Sequence, residues 1–558
     1  MFRRSLSVFN SSQTVGMCSK TIWLSLLCIL LMGTVVLFAL GTLLWSIGLC
    51  KLNEKILDEM QLGLNDHGNY TETTLTWMDP KYEMFFQVFT FSVYNHLDFL
   101  KQPNSTPEVL EKGPYVFCEY QQKEVIEIRP DRTRIFYRNF KYYYFDQSRS
   151  CQDCFLNDVV TVPNFILQEI WNQTKDQPFA QIVIEGLIGS TNTSAFLTMT
   201  VAQLLFDGYE DKLLVALSEQ FPEQFKNQST TVGLFYEVVL LWQQNGKDDG
   251  VYEVGTGVNR SDNLGWVYSW NGQTAVNAWY KAEARQVHGY DGQIFRSYFF
   301  KDMLGKPDII KTLFNWPPTL SRSAPPLDIF VGRMCRTVRM EQKRLMTIDN
   351  VVSFEYSPSP EMNDIAIQSA LGFCNPNATQ FFDDPSVQEW GCAPHGLMDM
   401  SSCIPGAQFY ISQPHFLDSP KQLRRSIYGV RKGSRKEATK LYVDLLTGTP
   451  IRAQQTYQLS VGVVNGSLTP LIGLKKLIIP VIWINESANY DQNTRDQVLR
   501  SQTALRTIIF GALGLYIGAL VLFILFVFLL IKFICALHVV RVGVVNDPLY
   551  VKDVSESQ

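Results

Sequence analysis

Histidine is scarce in this chain, six among 558 residues, and the six are dispersed rather than clustered. That removes the commonest source of metal ligation and neutral-pH proton transfer. No Gly-x-Ser-x-Gly elbow, His-Glu-x-x-His pair or phosphate-binding loop occurs either, so the familiar hydrolase, metalloprotease and nucleotide-enzyme signatures are missing. The expectation is a protein that is not an enzyme and needs no metal or cofactor. The formal net charge is only -4, which leaves no basic footprint for nucleic acid. Residues 50–506 hold no Pro/Gly/Ser-rich linker, low-complexity tract or internal repeat. One large folded body is expected there, although the length prior would allow two or three domains.

Charge is absent altogether from Ile22 to Leu49 and from Thr507 to Ile531. Each stretch is long enough to cross ~30 Å of hydrocarbon as a helix, and neither carries the intramembrane acid, base or His of an ion pathway. The first apolar run is too long for a cleaved signal peptide, whose core is about 7–15 residues. The expected plan is a cytoplasmic tail over 1–21, a span over 22–49, an ectodomain over 50–506, a second span over 507–531 and a cytoplasmic tail over 532–558. Arg3, Arg4 and Lys20, with no acid near them, favour a cytoplasmic start. Nine Asn-x-Ser/Thr sequons stand between the spans, at Asn69, Asn104, Asn172, Asn192, Asn227, Asn259, Asn377, Asn465 and Asn485. Such sites are used only in the secretory lumen, so the middle region reads as a lumenal or extracellular glycoprotein. In the second span Gly514-x-x-x-Gly518, with Gly511 a turn earlier, offers a small-residue face for the first span or for another copy.

Within the ectodomain, aromatic and β-branched runs predict strands over 84–93, 123–138 with a turn at Pro130-Asp131, 351–356, 440–446 paired with 451–461, and 477–484. From about 155 to 230 the period changes. Ile166 and Ile170, then Ile182, Val183, Ile184, Leu187 and Ile188, then Leu204, Leu205, Leu213, Leu214 and Leu217 recur at helical spacing. A helical insertion on a β-rich body is predicted. Cys335, Cys374, Cys392 and Cys403 form one group fit for disulfides in an oxidising compartment, with three pairings open. Cys118, Cys151 and Cys154 form an odd group, read as one structural disulfide and a leftover thiol rather than a redox or zinc half-site. Cys18 and Cys535, near the cytoplasmic face, are palmitoylation candidates.

Six segments then carry a resemblance: Glu111-Lys-Gly-Pro-Tyr-Val116, Thr230-Thr-Val-Gly-Leu-Phe-Tyr236, Asp249-Gly-Val-Tyr252, Met334-Cys-Arg336, Phe409-Tyr-Ile-Ser-Gln-Pro-His-Phe416 and Ile479-Pro-Val-Ile-Trp-Ile-Asn-Glu486. In this order, between two terminal spans, they resemble the class B scavenger receptor family. The resemblance implies an α+β membrane protein, an antiparallel β-barrel ectodomain with an apical helical bundle, anchored at both ends. It implies the pairings Cys335 with Cys403 and Cys374 with Cys392. A third bridge of some members would need cysteines near Arg285 and Gly372, and neither is present. It also implies binding of lipids or lipoproteins, a possible protein ligand at the apical helices, and transfer of fatty acid or sterol through a hydrophobic tunnel to the membrane. Where some relatives carry tip lysines that attract acidic ligands, Ser190 and Asn192 stand here, and Asp207, Glu210 and Asp211 follow. The expectation is a loss of that anionic-ligand preference at the tip, with Arg424, Arg425, Lys432 and Arg435 as the competing cations. His415, the one histidine inside a motif, reads as a core side chain.

The alternatives are a two-span ligand-gated channel subunit, which usually has more paired cysteines, and an endolysosomal receptor for a protein partner. The tail from 536 to 558 has no acidic dileucine signal, and Tyr550-Val-Lys-Asp553 lacks the apolar residue of a tyrosine signal. A multi-pass plasma-membrane protein is therefore expected, with the lipid, the partner and any homo-oligomer left unnamed.

Overall fold

The computed structural model describes residues 5–102, 105–226, 229–235, 245–296, 324–359, 370–403, 408–444 and 446–545. Two compact units divide at Ile56/Leu57 and at Leu499/Arg500, the terminal segments forming one and Leu57–Leu499 the other.

In the terminal unit, helix Ser5–Met60 meets helix Gln492–Val545. Both are long and apolar enough to cross a membrane, their side chains facing outward for want of water-seeking groups. They pack through glycines. A Cβ placed at Gly41 would come within 3.0 Å of the Tyr516 ring, and one at Gly511 within 3.1 Å of Leu44. Gly518 faces Leu37 in the same way, whereas Gly514 faces open space. Against the first span the small-residue face is thus Gly511 and Gly518, two turns apart, and Gly514 takes no part in that contact. The reason is period: at 3.6 residues per turn, positions seven apart return to the same face more closely than positions four apart.

The larger unit is built on an antiparallel sheet. Its strands in chain order are β1 (Glu83–Val93), β2 (Val109–Ile128), β3 (Arg134–Phe145), β4 (Asp248–Gly255), β5 (Val267–Trp270), β6 (Leu327–Val331), β7 (Arg336–Ile348), β8 (Val351–Pro358), β9 (Met398–Asp399), β10 (Phe409–Ser412), β11 (Lys440–Asp444), β12 (Pro450–Val463) and β13 (Leu477–Asn489). The spatial order is β6-β7-β8-β11-β12-β13-β1-β2-β3-β4-β5, with β10 on β12 and β9 on β10. Curling brings the two edges near each other, and Gly289-Tyr290 stitches them. Val267 N–H donates to Gly289 O at 2.7 Å, Tyr290 N–H to Asp328 O at 2.7 Å, and Phe330 N–H to Tyr290 O at 2.9 Å. Gly289 has φ 115°, and a Cβ there would lie 2.6 Å from Asp328 O. Only glycine lets the closing segment come this near. The barrel is thereby nearly closed and its edges are covered.

The strands predicted over 84–93, 351–356, 451–461 and 477–484 each lie within a longer one, because cross-strand hydrogen bonds extend pairing past the apolar runs, whereas the one predicted over 440–446 ends at Asp444. Strands β4 to β7 were not anticipated. Their inward positions mix polar with apolar residues and give no clean alternation.

The segment 155–230 is only partly helical. Helices Phe165–Thr174, Pro178–Thr191 and Lys212–Gln220 are present, but Val159–Pro163 pairs with Phe196–Thr200 as a small sheet. Leu204 and Leu205 lie in a π-helical turn, Gln203–Asp207. Asn164 and Asp211 cap their helices by accepting from Leu167 N–H and Leu214 N–H, each at 2.9 Å. Asn192 ends the second helix in the left-handed conformation, φ 51°. Of the apolar run on that helix, Ile184 and Ile188 are buried, while Phe179 and Ile182 are 86% and 69% exposed.

Candidate functional site

The barrel holds a partly open cavity of about 310 Å³, at the lower end of the ~300–1,000 Å³ typical of small-molecule sites. Alternation along β2 contributes to its wall. Tyr115, Phe117, Glu119 and Lys123 are buried at every second position of the strand, and of this strand Glu119 and Gln121 line the cavity. One strand therefore passes from an aromatic band to a polar one. The apolar part of the lining includes Met84, Met334, Met340 and Met398 with Phe330, Ile411 and Leu441. Methionine is flexible and polarizable, so this wall adapts to irregular apolar shapes.

Part of the same lining is charged. Lys141 on β3 lies 2.8 Å from Glu119 on β2 and also pairs with Glu486 on β13. Arg333, just before β7, stands 3.9 Å from Glu486 and 4.0 Å from Asp249. Tyr252 donates to Asp249 at 2.7 Å. Burial pushes the Glu486 carboxyl up, but Lys141 and Arg333 more than offset this and hold it at about 2. Glu119 goes the other way, raised by its complete burial and then by the charge of Glu486. Asp249 and Asp291 are likewise raised by burial, with Arg333 and Lys123 opposing. Lys123 is fully buried and pulled down to about 7 by desolvation, with Asp291 resisting. Its Nζ donates to Trp77 O at 2.7 Å and to Gln293, and Asp291 accepts from Trp77 Nε1 at 3.0 Å. The network satisfies most of its own charge.

A second cluster surrounds His415. This residue is buried with φ 56°, and its Nε2 lies 3.0 Å from Glu111 Oε1. Glu111 also accepts from Trp483 Nε1 at 2.6 Å and lies 3.4 Å from Arg431, which reaches Glu437 at 2.6 Å. Burial raises the Glu111 carboxyl, and hydrogen bonds from His415 and Trp483 bring it below its ordinary range. The Trp483 ring stacks on Phe89 with centroids 3.8 Å apart.

The sequence motifs thus converge in space. Asp249, Tyr252, Met334 and Glu486 meet at the cavity, while Glu111, His415 and Trp483 meet in the second cluster. Leu234 and Phe235 donate their N–H groups to the carbonyls of Leu204 and Leu205 in the π-helical turn. Sequence reasoning singled out none of Glu119, Lys123, Lys141 and Arg333. The available signal was weak: Glu119, Gln121 and Lys123 continue, at every second position, the face begun by Tyr115 and Phe117.

Disulfides join Cys335 to Cys403, Cys374 to Cys392 and Cys151 to Cys154, and Cys118 is a free thiol. Gly372 lies against Ala284, where a Cβ would come within 2.7 Å, so the segments of the absent third bridge do adjoin. Asn69, Asn192, Asn259, Asn377 and Asn465 are exposed. Asn172 is half-buried. Asn485 is a poor acceptor for sugar, because its amide nitrogen donates to Gln87 at 2.9 Å within the sheet and its Oδ1 is buried. Cys535 is exposed. Asn104, Asn227, the Cys18 side chain and the Tyr550 tail lie outside the described residues. A further triplet, Asn10-Ser-Ser, precedes the first apolar stretch. Among the described residues no group of His, Cys, Asp and Glu is arranged to hold a metal ion.

Comparison with known proteins gives the frame for these features. A profile of the CD36 family matches residues 31–304 and 314–531. Lysosome membrane protein 2 of Homo sapiens is 26% identical over 81% of this chain and 85% of its own length, and that of Rattus norvegicus is 25% identical over the same shares. Scavenger receptor class B member 1 of Sus scrofa is 22% identical over 75% of this chain and 73% of its own. With a nearly closed antiparallel barrel, two terminal membrane-crossing helices and a family match along most of its length, this chain belongs to the CD36 family.

Proposed function

We propose that this membrane protein is a scavenger-receptor-like glycoprotein of the cell surface that takes up lipid and passes it through the barrel to the bilayer without chemistry. The observation that carries the reading is the partly open barrel cavity with methionines in its wall. An apolar cargo gains ~0.8 kcal/mol per CH₂ on leaving water, so a lined conduit lowers the transfer barrier with no reaction. The charged part of the lining at Glu119, Lys141, Arg333 and Glu486 departs from a purely hydrophobic tunnel, and under this reading it faces the polar end of the cargo. The exposed Phe179 and Ile182 supply an apolar contact for a lipoprotein or protein ligand at the helical region, in place of the lysines that Ser190 and Asn192 replace. Under this reading the exposed sequons carry sugar, Leu57–Leu499 lies outside the cytosol, and Asn485 stays bare. The relatives named for lysosomal membrane and for scavenger receptor keep two addresses open, with the plasma membrane favoured by the tail. Family membership sets the channel reading aside.

The test is uptake of labelled cholesteryl ester and fatty acid by cells expressing the full chain. Met340→Trp and Met398→Trp, which fill the cavity, should cut uptake severalfold at equal surface expression. Unchanged uptake in both variants would remove the conduit.

A further inference from the structure

Between Lys421 and Lys440 eight cations stand against one acid, Glu437, in a chain whose formal net charge is -4. Two of the eight are already engaged: Arg431 pairs with Glu437 and Glu111, and Arg435 grips Asp418 with two hydrogen bonds of 2.6 and 2.7 Å. A third, Lys440, lines the barrel cavity, and the remaining five, Lys421, Arg424, Arg425, Lys432 and Lys436, have no carboxylate partner among the described residues. Their charge is therefore directed at solvent or at a ligand.

The segment is held on a rigid support. Tyr428 N–H donates to Pro107 O and Tyr428 O accepts from Val109 N–H, both at 3.0 Å. Gly429, at φ 92°, makes this possible, since a Cβ there would lie 2.0 Å from Val109 O. Leu423, Ile427 and Val430 are buried beneath, and Tyr428 is 67% exposed. The result is an open groove of about 580 Å³ between Thr106–Glu108 and Arg424–Arg431. Glu108 is the one acid in its lining, and its carboxylate accepts from the Tyr94 hydroxyl.

We propose that this groove and the flanking cations bind a linear sulfated polysaccharide of the glycosaminoglycan class. Five unpartnered cations spread along a helix and a loop exceed what one small anion can touch, and an extended polyanion meets them in series. Arginine forks match sulfate in two-point contacts, and the exposed Tyr428 ring offers a flat face to a sugar. A lipid leaflet fits less well, because Tyr428 is the segment's one exposed apolar side chain and insertion needs a broader apolar face. The inference rests on the extracytosolic placement proposed above but not on the conduit.

The experiment uses the full-length protein in detergent on heparin-agarose. Wild type should stay bound above about 0.15 M NaCl and elute as screening grows, whereas R424Q/R425Q/K432Q/K436Q should bind about tenfold or more weakly, a loss of one or two charge-assisted contacts. The variant should keep its melting temperature and its lipid uptake, which separates this claim from the conduit. Co-elution of variant and wild type would overturn it. So would displacement by inorganic sulfate at equal sulfate concentration, which marks a small-anion site, or capture by phosphatidylserine vesicles with no retention on heparin.

Discussion

Two sets of charge in the larger unit behave in opposite ways. At the cavity Glu119 and Lys141 are buried, Asp249, Arg333 and Glu486 are half-buried, and the five neutralise one another, whereas the cations of residues 421–436 are mostly exposed and largely unpaired. Burial is the reason. A charge withdrawn from water must find a partner within the protein or give up its ionisation, while a charge at the surface is solvated and stays available to a ligand. The first set lines the cavity and the second is left open to a ligand.

Removing charge from the two sets should therefore have unequal effects. Lys141→Met leaves Glu119 and Glu486 facing each other without their shared cation, and should cost about 3–5 kcal/mol of stability. A melting temperature unchanged from wild type would show that the first set is not an integrated network. Lys123 offers a pH-dependent version. Its folded-state value near 7 lies below its ordinary 10.5, so the folded state disfavours its proton. The penalty is complete below about 7 and is relieved as pH rises toward 10.5, by up to roughly 4–5 kcal/mol. Melting followed between pH 7 and 9.5 should show a rise in wild type that Lys123→Met abolishes.

Acid should act with the opposite sign. Glu119, Asp249, Asp291 and Asp399 are all raised, burial being the main cause. The folded state holds their protons more tightly than the unfolded chain does, so these groups add stability as pH falls through the raised values toward about 4. Glu486, held at about 2, works against this only below its ordinary range. The melting temperature at pH 5 should equal or exceed that at pH 7, a property suited to either membrane address. A fall between those values would break the argument. The smallest effect is expected at the surface: Arg424→Gln with Arg425→Gln should change stability by less than about 0.5 kcal/mol. A large loss would move these arginines from the set left open to a ligand to the structural one.

Much of the plan was legible because it rests on local signals. Uninterrupted apolar stretches marked both long helices, and the aromatic alternation of 84–93 marked β1. The motif from Phe409 to Phe416 carried His415, which the fold places in a buried cluster with Glu111 and Trp483. The run from Ile182 to Ile188 was less legible. Its hydrophobicity is continuous, and only packing shows that one side is buried and the other exposed. The closing role of Gly289-Tyr290 and the pairing across Lys141, Glu119 and Glu486 left no trace of their own.

Hydrophobic length, strand alternation and residue type at each motif are properties of neighbouring positions, and the chain alone determined them. Which charges meet is different. Lys141 and Glu486 are 345 positions apart, and their contact depends on strand order and register, where a shift of one residue would turn either side chain out of the barrel. Tertiary structure alone decided that the polar positions of β2, β3 and β13 meet at the cavity, and that the cations from Lys421 to Lys436 do not.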